Sequence, residues 1–197
     1  MIAKDLHALL GSRICHDLIS PLSAIGNGVE LLALSGVNAA SEIALITESV
    51  ENANTRIRFF RVAFGSAREH QQVAVSETRG LMADMSRGSR ITYTWSPTDD
   101  LPRLDVKLAF LLIQCLESAM AWGGEIAVDR RDNNWTVTGS AERLKINHAL
   151  WEYLVGAAVD VEISASDVHF ALVTEAARSA QRRLRTQLSE KEIRISF

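Results

Sequence analysis

Cysteine is scarce in the 197 residues: Cys15 and Cys115 stand a hundred positions apart, with no CxxC pair and no histidine spacing suited to zinc. A disulfide scaffold is thereby excluded, and a reduced, cytoplasmic setting is expected. Long apolar runs are lacking too. The longest, Leu108 to Leu116, is bracketed by Lys107 and Glu117 and falls well short of the roughly 18 residues a membrane span needs. No membrane partner is expected. The chain starts Met1-Ile2-Ala3-Lys4-Asp5 and enters a helical pattern at once, without the apolar core and small-residue cleavage site of a secretory leader. Charge of one sign is also missing: the net charge is −3 and no Lys/Arg block stands clear of acidic neighbours, so nucleic acid is not an expected partner. There is no internal repeat and no low-complexity segment. What remains is ordinary globular composition, 47% hydrophobic and 23% charged, in a chain long enough for two small domains.

From Leu6 to Leu32 the apolar positions are helical, and Leu18, Leu22, Ile25, Val29 and Leu32 step by alternating fours and threes, which is a heptad seam. A break is predicted at Ser35-Gly36-Val37-Asn38, and Ser41 with Glu42 suits a new helix start. The second seam runs Ile43, Ile46, Val50, Ala53, Ile57, Phe60 and Phe64, and ends near Gly65-Ser66. The two form an antiparallel helical hairpin, predicted to cover residues 1–70. Two helices bury little alone, so the seams predict pairing with a second copy as a dimeric four-helix bundle, a homodimer. Packing of the hairpin on the rest of its own chain is the alternative.

After a polar stretch from Glu69 to Ser76 the pattern changes, predicting a second unit over residues 77–197. Helices are predicted at Glu77 to Met85, Asp105 to Trp122, His148 to Leu154 and Asp167 to Ser179. Strands are predicted at Arg90 to Trp95, Glu125 to Asp129 and Trp135 to Thr138, the last two joined by Asp132-Asn133-Asn134, with a closing hairpin from Arg183 to Leu188 and Glu192 to Phe197. A turn is expected through Pro97 to Pro102. The fold class is α+β, the second half an α/β sandwich with its helices on one sheet face.

The most informative stretch is Cys15-His16-Asp17-Leu18-Ile19-Ser20-Pro21-Leu22. His16 lies two residues from both Ile14 and Leu18, so at about 100° per residue it points away from the apolar stripe. An exposed imidazole beside a carboxylate suits a nucleophile, which needs a neutral nitrogen with open access. It is also what a solvated surface pair looks like. Pro21 within a helical pattern costs about 3 kcal/mol, which something must offset. Folding the hairpin about Asn38 brings Arg56, Arg58 and Arg61 within a turn of His16, where an arginine fork can meet a phosphoryl group or simply be solvated. Gly26-Asn27-Gly28 reads as a patch where another element approaches, and Ser23, Ala24 and Asn27 lie below the histidine, where either a partner docks or the bundle packs tightly. His7, His70, His148 and His169 have no metal-type partners and are given no role.

His16, Asp17, Pro21 and Leu22, with Ser20 as the small polar residue, resemble the H-box of histidine kinase dimerisation domains. In the second half, Leu111 to Ala119 followed by Gly123-Gly124-Glu125-Ile126 is similar to the asparagine-bearing helix and following strand of the kinase ATP-binding domain. Gln114 and Ser118 stand where that family has asparagines, Gly139-Ser140-Ala141 where it has a glycine-rich adenine loop, and no GxxxxGK phosphate loop exists. A kinase-like hairpin joined to a degenerate ATPase-like domain resembles the ChpT-type histidine phosphotransferases of alphaproteobacteria, to which Arg58 to Gly65 also bears likeness. The resemblance implies that His16 is the phosphoacceptor and that Asp17 assists transfer; Ser20, Pro21, Arg58 and Arg61 are expected to support them. It implies relay between the receiver domains of a hybrid histidine kinase and of response regulators, magnesium being held by the receiver and no ATP being bound. A non-catalytic pseudokinase that regulates a kinase or response regulator is the competing reading, and a kinase with unusual ATP motifs a third.

Overall fold

The structure, a computed structural model, describes residues 5–35, 40–157 and 160–197. The predicted break at Gly36-Val37-Asn38 and the first four residues of the chain lie outside them. Two long helices come first, α1 (Leu6–Ser35) and α2 (Ala40–Ala63), followed by β1 (Gln72–Val73), α3 (Val75–Ser86), β2 (Ile91–Trp95), β3 (Leu101–Pro102) and α4 (Arg103–Ala119). After them come β4 (Gly124–Arg131), β5 (Asn134–Ser140), α5 (His148–Leu154), a 3-10 turn at Ala165–Asp167, α6 (Val168–Ser179), β6 (Arg185–Leu188) and β7 (Glu192–Ser196). The fold is α+β, as the pattern of the sequence predicts.

Five strands form one sheet in the order β2-β4-β5-β7-β6. Only β2 and β4 run parallel, because α4 provides the long crossover that parallel neighbours require. Alternation is strict in β2, where Ile91, Tyr93 and Trp95 are buried and Thr92 and Thr94 exposed, so one face of the sheet meets the core. Trp135 anchors that face, its ring stacked on Phe197 and met edge-on by Trp95. Against it lies α4, apolar on every side from Leu108 to Ile113, where each residue is fully buried. Its outer flank receives α2, through Phe59 stacked on Phe110 at 5.0 Å.

Three local features differ from the sequence reading. Helix α4 stops at Ala119, three residues short of Trp122, and the chain turns through Gly123 at φ 96°, where a Cβ would stand 2.4 Å from the Arg90 carbonyl oxygen. The β4–β5 turn is tighter than predicted: Arg131 pairs with Asn134, leaving Asp132 at φ 56° and Asn133. The two-residue strands β1 and β3 pair antiparallel where a polar linker and a turn were expected. Two residues are too few for alternation to register.

His169 on α6 is fully buried, and neither ring nitrogen has a hydrogen-bond partner. Burial pushes its pKa down from 6.5 to about 3, the charge of Arg13 acting in the same direction. The unfolded chain therefore binds a proton below about pH 6.5 that the folded chain refuses until about pH 3. Stability falls as pH falls through that window, by at most about 1.4 kcal/mol per pH unit. His169→Leu is expected to flatten this slope in urea denaturation curves between about pH 6 and 4, at little cost near neutrality because no hydrogen bond is lost. An unchanged slope would refute the assignment.

Candidate functional site

The lower part of α1 leans on the core through Leu6, Leu9, Ile14 and Leu18. That packing turns the opposite side outward, and the His16 side chain is 86% exposed. Its neighbour Asp17 is not: only 12% of that side chain is exposed. Asp17 Oδ1 lies 3.3 Å from His16 Nδ1, at the long end of hydrogen-bonding range. A carboxylate is an acceptor only, so the contact favours a proton on Nδ1 and leaves the Nε2 lone pair pointing to solvent. The other oxygen, Asp17 Oδ2, accepts from Arg13 Nε at 2.9 Å, and Arg13 Nη1 donates to the Ser166 carbonyl at 2.9 Å.

Pro21 sits inside α1 without ending it. With no N–H there, the backbone carbonyl of Asp17 loses its usual helical donor. Ser20, Ser23 and Asn27 are exposed and follow His16 at intervals of four, three and four, forming one polar stripe up the helix, with Pro21 and Ala24 half-buried beside it. Gly28 is the point of close approach within the hairpin, where a Cβ would meet Ile46 Cγ1 at 2.6 Å. Gly26 has nothing near it.

The three arginines of α2 diverge. Arg58 Nη1 donates to Asp84 Oδ2 at 2.7 Å, and Arg61 Nη2 to Glu77 Oε1 at 3.1 Å, so both face α3 in this structure. Arg56 turns toward α4, where its Nη1 lies 3.3 Å from Glu117 Oε2. Glu117 holds its charge above all, with Asp17 adding to the effect, and together they raise its pKa. Tyr93 donates its hydroxyl to Glu117 Oε1 at 2.6 Å, and burial followed by the Glu117 charge raises the tyrosine pKa. The acid in the helix that resembles a nucleotide-binding element thus grips the hairpin. Arg13, Ser166 and Tyr93 were not read from the sequence as part of the site; the i, i+4 spacing of Arg13 and Asp17 was the available signal, and nothing marked Ser166.

The positions that resemble ATP-binding residues lie inside the sandwich or bond within it. Gln114 is 1% exposed and both its amide atoms lack partners. Ser118 Oγ donates to the Cys115 carbonyl at 2.7 Å. Gly139 is a strand residue, paired with Ile126 and Ile193, and a Cβ there would stand 2.9 Å from Leu116 Cδ2. It is a glycine of sheet-to-helix packing, inside β5 and not in a loop.

Comparison with known proteins identifies relatives of the chain. Residues 75–192 match the family described as Histidine phosphotransferase C-terminal domain. The chain is 35% identical over 172 residues to Protein phosphotransferase ChpT of Brucella abortus (strain 2308), covering 84% of this chain and 82% of that one. It is similar to a solved structure described as a bacterial phosphotransferase, with a TM-score of 0.81 and 31% identity over 100% of this chain and 97% of that chain.

Glu117→Ala removes the acceptor of both Arg56 and Tyr93. Arg56 is about a third exposed, so the loss is expected at roughly 2 kcal/mol, below that of a fully buried broken pair. Tyr93→Phe is expected to cost about 1 kcal/mol. Both are read from urea midpoints; a neutral Glu117→Ala would show that the link between α2 and α4 carries no stability.

Proposed function

The chain belongs to the histidine phosphotransferase family, and from that premise we propose that His16 is the residue that carries the phosphoryl group, passed from one receiver-domain aspartate to another. Protein phosphotransfer is the activity of the family; the nucleophile is assigned on one observation, an exposed imidazole whose Nδ1 faces a mostly buried carboxylate. In the transfer step Nε2 of neutral His16 forms a bond to phosphorus while the acyl phosphate P–O bond breaks and its electron pair stays on the receiver carboxylate. The Nδ1 proton is retained, so the ring becomes an imidazolium whose charge faces Asp17. The second receiver reverses each change. Both phosphorylated species are high in energy, so the chemistry calls chiefly for positioning.

The partners in this reading are receiver domains, one of a hybrid histidine kinase and others of response regulators, docking along the stripe of Ser20, Ser23, Ala24 and Asn27. Magnesium is assigned to the receiver's acidic pocket. Internal Gln114, hydrogen-bonded Ser118 and packed Gly139 support a chain that neither binds ATP nor phosphorylates itself from it. No helix among the described residues is long and apolar enough to cross a membrane, which accords with a cytoplasmic setting. Arg58 and Arg61, expected to support the site, are instead engaged by Asp84 and Glu77 on α3.

Above the histidine the hairpin presents Leu22, Val29, Ile43, Val50 and Ile57, each at least 40% exposed and each on a predicted seam. Such a face supports assembly with a second copy as a four-helix bundle, a homodimer. Phe60, by contrast, is buried within its own chain against Phe59 and Phe64.

Incubated with a phosphorylated receiver, the wild-type chain is expected to take up acid-labile label, and His16→Ala to take up none while folding normally, since an exposed substitution costs little stability. Labelled ATP is expected to leave both unlabelled. Label on His16→Ala would remove the site assignment; label from ATP would favour a kinase. Light scattering should give close to twice 21.7 kDa, and Val50→Glu with Ile57→Glu should yield a folded monomer. A wild-type monomer at micromolar concentration would end the bundle proposal.

A further inference from the structure

Arg13 is seated more elaborately than a helix surface requires. Its pairing with Asp17 runs cation first, acid second, the less favourable order for an i, i+4 pair along a helix. The side chains are only 18% and 12% exposed, so both charges have given up much of their hydration to meet. One guanidinium edge takes Asp17 Oδ2, and Nη1 reaches a carbonyl 153 residues away in sequence. That carbonyl belongs to Ser166, in a 3-10 turn braced by hydrogen bonds from Ser164 and Ser166 to the Asp167 carboxylate. The charge of Arg13 acts on His169, which burial keeps neutral, and Asp17 in turn adds to the holding of the Arg56 charge.

We propose that Arg13 is a positioning residue for phosphotransfer: it clamps Asp17 by one oxygen and anchors the clamp to the Ser166 carbonyl, so that the other oxygen holds the His16 ring with Nε2 outward. The inference rests on His16 being the phosphoacceptor. Without the clamp, Asp17 is free to rotate away from His16 Nδ1, and the neutral ring relaxes toward the tautomer mixture of a solvated imidazole, in which Nε2 often carries the proton and cannot attack. The second half of the chain thereby sets the chemistry of a residue on α1 through a single side chain.

The test uses the full chain and phosphoramidate, a small donor that phosphorylates imidazole without a partner protein, together with nitrogen-15 spectra that report the tautomer of His16. Arg13→Ala is expected to slow phosphorylation of His16 roughly tenfold to a hundredfold and to lose the Nδ1–H preference. Combined with Asp17→Asn it should add nothing further, because both act along one path. Arg13→Lys, which retains a cation for Asp17 but cannot span to Ser166 as well, should lose part of the Nδ1–H preference and slow the rate several-fold; it also serves if Arg13→Ala folds poorly. Arg13→Ala with wild-type tautomer and a rate within about twofold would overturn the proposal, and a wild-type rate in Arg13→Lys would overturn the anchoring role of Ser166. His16→Gln, given a phosphorylated receiver as donor so that other exposed imidazoles are not labelled chemically, separates the two readings: label on that variant defeats the phosphoacceptor assignment, whereas an unlabelled His16→Gln beside an unaffected Arg13→Ala defeats only the clamp.

Discussion

The way α2 ends against α4 governs the rest of the molecule. Helix carbonyls at a C-terminus need donors, and here α4 provides them: Arg103 donates to the Arg61 carbonyl and Lys107 to the Gly65 carbonyl, each at 2.9 Å. The cations also complement the negative end of the helix dipole. Gly65 permits the approach, since a Cβ there would fall 2.3 Å from the Arg61 carbonyl oxygen. With Phe59 on Phe110 completing the joint, the hairpin is fixed to the layer of helices over the sheet. The angle and depth of α1 follow from that joint, and so does which of its residues faces water.

The sandwich matches most of its inner polar groups with one another. Glu117 accepts from both Arg56 and Tyr93, Gly139 lets α4 settle on β5, and Arg182 makes a two-pronged bridge to Asp105 while also reaching Asn133. A polar group inside a protein must be matched or it is costly. Such groups here bond to one another, whereas Gln114 and His169 are left unmatched at both of their polar side-chain atoms.

Much of the fold was legible from the chain alone because its signals are periodic. Heptad steps from Leu18 onward, strict alternation in Ile91 to Trp95 and the apolar run around Leu108 all declared their elements. The two-residue strands did not, for want of length, and the end of α4 was read three residues late because Met120 and Trp122 fit a helix as well as they fit the turn that Gly123 makes. The outward direction of His16 followed from helical geometry. The destinations of the arginines did not: a guanidinium on a long stem reaches whichever acid lies in range, and Arg58 and Arg61 found Asp84 and Glu77 on α3. Nothing local marks Ser166, whose contribution is a main-chain oxygen supplied by a distant turn.

That main-chain oxygen has a consequence for how such proteins can be rebuilt. A hairpin bearing His16 looks like a cassette, ready to be cut out and grafted onto another scaffold. Yet the carbonyl at Ser166 is offered by backbone geometry and not by a side chain that a graft could carry along. Any chimera that keeps the helices must also keep the turn, or recreate an acceptor at the same place in space. In this chain the hairpin and the turn that meets it are joined by a contact that neither carries alone.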